Sequence, residues 1–276
     1  MENIRQLQEK KASGAKLTML TAHDAALAGL VDQAGVDLVL VGDSLGMVAL
    51  GYDSTVPVTM DEMIHHARAV RRGVSNALLV GDMPFLSYQI DQPSAIANAG
   101  RFLKEAGCAA VKMEGGAALA DTVAAVVAAG IPVLGHIGLT PQTAGQLGGF
   151  KVQGRDAASA ARLRHDAEAL AAAGVSALVL ECVPALLARE ISASLAVPTI
   201  GIGAGPYCDG QVLVSHDLLG LFAGFTPRFA KRYAELGRQA VAALAAFKEE
   251  VEKGEFPAAA HSFGPLTDEK EQPSDK

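Results

Sequence analysis

Tryptophan is absent from this 276-residue sequence, and aromatic residues make up only 5% of it. That argues against a β-sandwich and for an α/β composition with small residues at tight helix–sheet contacts. Cysteine is scarce too: Cys108, Cys182 and Cys208 are scattered without a CxxC spacing. They suggest neither a disulfide framework nor a zinc site, and they suit a reducing cytosol. The N-terminal MENIRQLQEKKASGAK holds no apolar leader core. No uninterrupted apolar run approaches the roughly 20 residues that span a bilayer. A soluble, cytoplasmic protein is expected. A positive balance is also missing. The formal net charge of −7 repels phosphate backbones and anionic lipid, so neither nucleic acid nor a membrane surface is an expected partner. The local basic pairs Arg71/Arg72 and Lys151/Arg155 read as solvated surface.

What is present is small and apolar. Half of the residues are hydrophobic, enough for one large barrel or two smaller domains. A unit recurs in which an amphipathic helix ends in Ala-Gly and a β-rich run then ends in a polar cluster: QAGVDLVLVGDS, EAGCAAVKMEGG, AAGIPVLGHIGL and AAGVSALVLECV. Gly35, Gly107, Gly130 and Gly174 fall where a helix C-terminus needs a left-handed residue. The runs are continuous rather than alternating, as in parallel strands buried on both faces.

KLTMLTAHD, ALLVGDMP, VPTIGIGAG and QVLVSHD bring the candidate strands to eight. Helical patterns lie near 24–34, 59–72, 92–106, 116–129, 156–173, 184–195 and 227–253. This rhythm predicts right-handed βαβ units closing into a single (β/α)8 TIM barrel over residues 1–263, with a doubly wound open sheet as the alternative. The segment 44–58 reads as an active-site loop or a strand extension. The stretch 203–210 leaves no room for a full helix, and the Lys-, Glu- and Pro-bearing residues 264–276 read as a disordered tail.

In such barrels the active site lies at the C-terminal mouth, so strand-ending residues are the candidates. They are Asp43 and Ser44, Asp82, Lys112 and Glu114, His136, and Glu181. Gathered carboxylates need a compensating cation or proton, although each alone could cap a helix or pair with a neighbour. Asp43, Asp82 and Glu114 end consecutive strands two, three and four. Oxygen donors of this kind suit Mg2+. Lys112 and Glu114 are two apart, so both face one way while Met113 faces the helix layer. Lys112 could bind a substrate carboxylate, form a Schiff base or neutralise Glu114. Glu181, flanked by Cys182, Val183 and Pro184, sits in an apolar setting that would raise its pKa towards general-base range. His136 could donate to substrate or to a carboxylate, or be structural. GIGAG (201–205) is similar to a barrel phosphate loop, though glycines there also permit close packing.

The runs LVGDSLGMV, DSTVPVTMDEM, AVRRG, GDMPF, VKMEGG, GHIGLTPQ, GGFKVQGR, LVLECVP, IGIGAGPYCDGQVLV and HSF stand in collinear order from about residue 17 to 263. Through them the chain resembles the 3-methyl-2-oxobutanoate hydroxymethyltransferase (ketopantoate hydroxymethyltransferase) family of pantothenate biosynthesis. The resemblance implies a Mg2+-dependent barrel moving a one-carbon unit from 5,10-methylenetetrahydrofolate to 3-methyl-2-oxobutanoate. It implies Asp43, Asp82 and Glu114 as metal residues and Asp43, Ser44, Asp82 and Lys112 as contacts to the 2-oxo acid. It implies Glu181 as catalytic base, and a homo-oligomer, a decamer in several members. His23 and Tyr52 stand where the family often has Tyr and His. Three rival readings are a 2-oxo-acid barrel of the phosphoenolpyruvate mutase and isocitrate lyase type, a Schiff-base aldolase using Lys112, and a barrel that binds a metabolite without turnover.

Overall fold

The computed structural model describes residues 4–146, 148–222, 224 and 226–263; the expected tail at 264–276 lies outside them. Eight parallel strands close in chain order: β1 (Leu17–Thr21), β2 (Leu38–Val41), β3 (Leu78–Asp82), β4 (Ala110–Glu114), β5 (Val133–Gly138), β6 (Ala177–Glu181), β7 (Thr199–Ile202) and β8 (Gly210–Leu213). β8 pairs with β1, which makes the sheet a barrel and removes the open-sheet alternative. β2 to β5 are buried nearly end to end, as their unbroken apolar runs require.

Helices α1 (Ile4–Ser13), α2 (Ala25–Gln33), α3 (Leu45–Val48), α4 (Met60–Gly73), α5 (Gln92–Ala106), α6 (Ala120–Ala128), α7 (Ala157–Ala172), α8 (Ala185–Ser194), α9 (Ser215–Leu219) and α10 (Leu236–Lys253) complete the fold. Their starts follow local chemistry. Asp24, Thr59, Asp91 and Asp156 accept the orphan N–H groups of α2, α4, α5 and α7, and Thr59 with Glu62 forms a capping box. Gly35, Gly107, Gly130 and Gly174 all have positive φ, as the Ala-Gly spacing predicts.

Three details depart from the sequence pattern, and the open alternative at 44–58 is decided. Residues 4–13 form a helix where only a polar segment was read; Leu7, fully buried, inserts among Leu17, Leu38 and Leu78 of the barrel interior and plugs its lower end. Segment 44–58 is a loop with the single turn α3, not a strand extension. The run 211–217 is strand only to Leu213, then turns into α9. The pattern over 227–253 becomes helix only from Leu236, because Tyr233 and Gly237 donate their N–H groups to Leu218 and Gly220 rather than along a helix. The 203–209 connection carries no helix, as its length predicts.

Candidate active site

Side chains alternate along a strand, so one known inward residue fixes the parity of the rest. Leu78 and Val80 face the barrel interior, and so does Asp82; Ala110 does, and with it Lys112 and Glu114. Leu134 places His136 inward, and Ala177 and Val179 place Glu181. Met113 has the opposite parity and joins the helix–sheet layer. Register then sets neighbours: Asp82 lies beside Lys112, and Glu114 beside His136.

These residues, with Asp43 and Ser44, line a cavity of about 390 Å³ at the C-terminal mouth. Met19, Leu40, Val179 and Val212, all of the interior cluster, also line it; Phe150, Lys151, Arg228 and Phe229 come from the loops above. Lys112 Nζ donates to Asp82 Oδ1 at 2.6 Å and lies 4.0 Å from Glu114 Oε2. Burial opposes charge on Lys112, but Asp82, Glu114 and Asp43 outweigh it and hold the ammonium well above its usual pKa. A lysine so held is no free amine, which disfavours the Schiff-base reading. Asp43, buried, donates its backbone N–H to Asp82 Oδ2 at 3.2 Å. Burial, then repulsion from Asp82, push its carboxyl well above the usual range.

His136 joins the two sides of the mouth. Nδ1 is 3.4 Å from Glu114 Oε2 and Nε2 is 3.2 Å from Glu181 Oε2, ion-pair distances without aligned hydrogen bonds. Burial and Lys112 act to lower its pKa, yet Glu114 and Glu181 raise it to about 9. Glu181 is therefore not set apart in apolar surroundings, as its sequence neighbours suggested; its carboxylate faces an imidazole one strand away. The backbone of Glu181 is pinned as well. Leu139 donates to its carbonyl at 2.9 Å, and a Cβ on Gly138 would come within 2.2 Å of that oxygen. Ser44 Oγ has no hydrogen-bond partner among the described residues and lines the cavity.

The carboxylates gather around an ammonium. Among the described residues no three His, Cys, Asp or Glu side chains converge on one metal position. Two residues were not singled out from the sequence. Gln142, within GHIGLTPQ, bonds Asp43 Oδ2 through Nε2 and Glu114 Oε1 through its backbone N–H; Tyr88 bonds Gln142 Oε1. The only signal for Gln142 was its position in a matching run; Tyr88 had none. GIGAG holds close contacts: a Cβ on Gly201 would meet Cys208 Sγ at 3.0 Å, and one on Gly205 would meet Ala185 at 2.4 Å.

The model of the ketopantoate hydroxymethyltransferase family matches residues 2–259. The chain is 62% identical over 260 residues to the 3-methyl-2-oxobutanoate hydroxymethyltransferase of Moorella thermoacetica, covering 94% of this chain and 97% of that one. It is 59% identical over 257 residues to that of Syntrophomonas wolfei, covering 93% of each. Among solved structures, phosphoenolpyruvate phosphomutase from Streptomyces platensis superposes with a TM-score of 0.63 at 16% identity, over 96% of this chain and 93% of that one. Phosphonopyruvate hydrolase in complex with oxalate and Mg++ gives 0.61, also at 16%, over 95% and 93%. These two share the barrel fold. With the polar crescent at its mouth and these relatives along nearly its whole length, the chain belongs to the ketopantoate hydroxymethyltransferase family and is an enzyme of that transferase kind.

Proposed function

We propose that the enzyme transfers a hydroxymethyl group from 5,10-methylenetetrahydrofolate to 3-methyl-2-oxobutanoate, giving 2-dehydropantoate for pantothenate synthesis, through an enolate whose formation Mg2+ assists. The observation that carries this reading is the inward set Asp43, Asp82, Lys112, Glu114, His136 and Glu181 at one mouth of the barrel. Magnesium needs only one or two carboxylates, with water and substrate oxygens completing its shell, so a closed cage of three ligands is not required. Glu114 Oε2 is buried without a hydrogen-bond partner, which fits a cation-facing donor.

Asp43, Asp82 and Glu114 would hold the ion, with Asp43 and Asp82 also meeting the 2-oxo acid. When bound, Mg2+ supplies Lewis acidity to the substrate carbonyl. Lys112 and the Ser44 hydroxyl bind the 2-oxo acid, and the fixed ammonium of Lys112 offsets charge as it develops. Glu181 removes the C3 proton. His136, charged at neutral pH, holds Glu181 and Glu114 in register and so serves the substrate through them. The apolar wall of Met19, Leu40, Val179 and Val212 excludes water from the carbanion. One C–N bond of the folate's methylene bridge opens to an iminium, whose carbon the carbanion attacks; water then replaces the remaining folate nitrogen, supplying the hydroxyl and releasing tetrahydrofolate.

The phosphoenolpyruvate mutase type of chemistry is the rival reading, and the folate separates the two. Product should form only when the 2-oxo acid, methylenetetrahydrofolate and Mg2+ are all present; turnover without the folate would overturn the assignment. We place the enzyme in the cytosol on its three free cysteines. Among the described residues no helix is long and apolar enough to cross a membrane. Val241, Leu244, Phe247 and Val251 leave an apolar face of α10 exposed, and no α10 residue is buried. This supports a homo-oligomer, with the decamer implied by the family resemblance; light scattering tests it.

A further inference from the structure

Gln142 lies on the 3-10 turn Pro141–Thr143 after β5, is 4% exposed, and uses every polar atom of its side chain. Nε2 donates to Asp43 Oδ2 and to the Met83 carbonyl, both at 2.9 Å. Oε1 accepts from the Tyr88 hydroxyl at 2.8 Å. The backbone N–H donates to Glu114 Oε1 at 2.8 Å. Tyr88, 1% exposed, is itself held by Glu114, whose N–H donates to its hydroxyl oxygen at 3.2 Å.

This arrangement has one chemically allowed orientation. Met83 offers a carbonyl and Asp43 a carboxylate, both acceptors, so the amide NH2 must face them and the amide oxygen must face Tyr88. A flipped amide would set oxygen against two oxygens in a buried site. The bonds also sort the carboxylate oxygens. Gln142 occupies Asp43 Oδ2 and Glu114 Oε1, while Asp82 gives Oδ1 to Lys112 and Oδ2 to the Asp43 N–H. What remains free of hydrogen bonds is Asp43 Oδ1 and Glu114 Oε2, the latter within ion-pair distance of His136 and Lys112.

We propose that Gln142, locked by Tyr88, is the positioning residue that presents Asp43 Oδ1 and Glu114 Oε2 to the divalent cation. The proposal rests on the metal reading given above. Gln142 touches two of the three carboxylates without competing for the ion. Supporting contacts of this kind set metal affinity by fixing ligand rotamers, and their loss typically weakens binding about 10- to 100-fold.

The test is Mg2+ titration by isothermal calorimetry into the full-length protein without organic substrate. Gln142→Met keeps length and burial, deletes both side-chain donors and leaves the backbone bond to Glu114. Its Kd for Mg2+ should rise about tenfold, while the melting temperature stays within a few degrees. Tyr88→Phe should move Kd in the same direction by a smaller factor. A Gln142→Met protein whose Kd changes less than about threefold, about 0.65 kcal/mol, overturns the proposal, as does a lowered melting temperature with an unchanged Kd. If Gln142→Met does not fold, Tyr88→Phe decides: a rise in Kd above experimental error supports the proposal, and none overturns it. A parent protein that binds no Mg2+ sinks the metal reading and this inference together. A parent that binds while both variants match it sinks the role of Gln142 alone.

Discussion

Both rims of the barrel carry buried or half-buried aspartates, yet the two sets live under opposite conditions. At the lower rim each carboxylate accepts several hydrogen bonds. Asp32 accepts from Ser75, Asn76 and Ala77 N–H groups and from the Asn76 amide; Asp37 accepts from Lys10 and Thr18; Asp209 accepts from Lys11 and Thr199. Burial opposes ionisation of Asp32 and Asp37, but those bonds prevail and lower their pKa. At the upper rim Asp43, Asp82 and Glu114 gather around one ammonium, Asp43 is pushed up, and Glu114 Oε2 has ion-pair neighbours in Lys112 and His136 but no hydrogen bond. Carboxylates with several donors fasten strands to helices; those with fewer remain able to take a cation or a proton. The proposed function sits at the rim where satisfaction is incomplete.

The largest effect that would break this contrast is at Glu181. Glu181→Gln should lower turnover on the order of 1000-fold and stop solvent exchange of the substrate C3 proton, with the melting temperature unchanged. Exchange at the parent rate would remove Glu181 as base. At the other end, Leu7→Ala should cost about 3 kcal/mol of stability through the cavity it leaves, with kcat intact in the folded fraction, measured by urea unfolding and assay together.

A pair of aspartate changes sharpens the comparison. Asp32→Ala should lose about 2 kcal/mol by stranding the buried Ala77 N–H and removing the bonds to Ser75 and Asn76, and leave Mg2+ affinity alone. Asp43→Asn should do the reverse, weakening Mg2+ binding in calorimetry while the melting temperature holds or rises, because a repelled charge has gone. If both behave alike, the rims are not differently built.

The smallest expected effect is acid sensitivity. His23 follows β1 at the mouth side, is buried with both ring nitrogens unpartnered, and stacks on His216 at 5.4 Å between ring centroids. Burial first, then His216 and His66, lower its pKa to about 3. The unfolded chain takes up that proton near pH 6.5 and the folded one only near 3. This contribution to stability is therefore present above pH 6.5 and is lost as pH falls towards 3. His23→Phe should flatten the melting-temperature profile between pH 7 and 5.5 by the equivalent of about 1 kcal/mol. An unchanged profile would assign the acid limb to other groups.

Their place at strand ends made Asp82, Lys112, Glu114 and Glu181 legible in the sequence, and the spacing of two gave Lys112 and Glu114 a common face. His136 was legible as a candidate but not as a bridge, because its partners lie on strands to either side. Gln142 and Tyr88 were not legible as positioning groups. Neither ends a strand, and both sit on loops whose paths no periodicity specifies. The burial of Leu7 was equally hidden, for a polar segment with one leucine in the barrel floor looks like any surface helix.

The sequence by itself determined the alternation of strands and helices, their glycine stops and the acidic residues at the strand ends. These follow from short-range sterics and from burial periods of two and 3.6 residues. Tertiary structure alone decided which oxygen of each carboxylate stays free. That depends on closure of the barrel, which sets Ser215 against Thr21, 194 residues away, and Gln142 against Asp43, 99 residues away. Hydrogen bonds over such separations leave no local pattern, because the geometry that makes them is fixed only when all eight strands have closed.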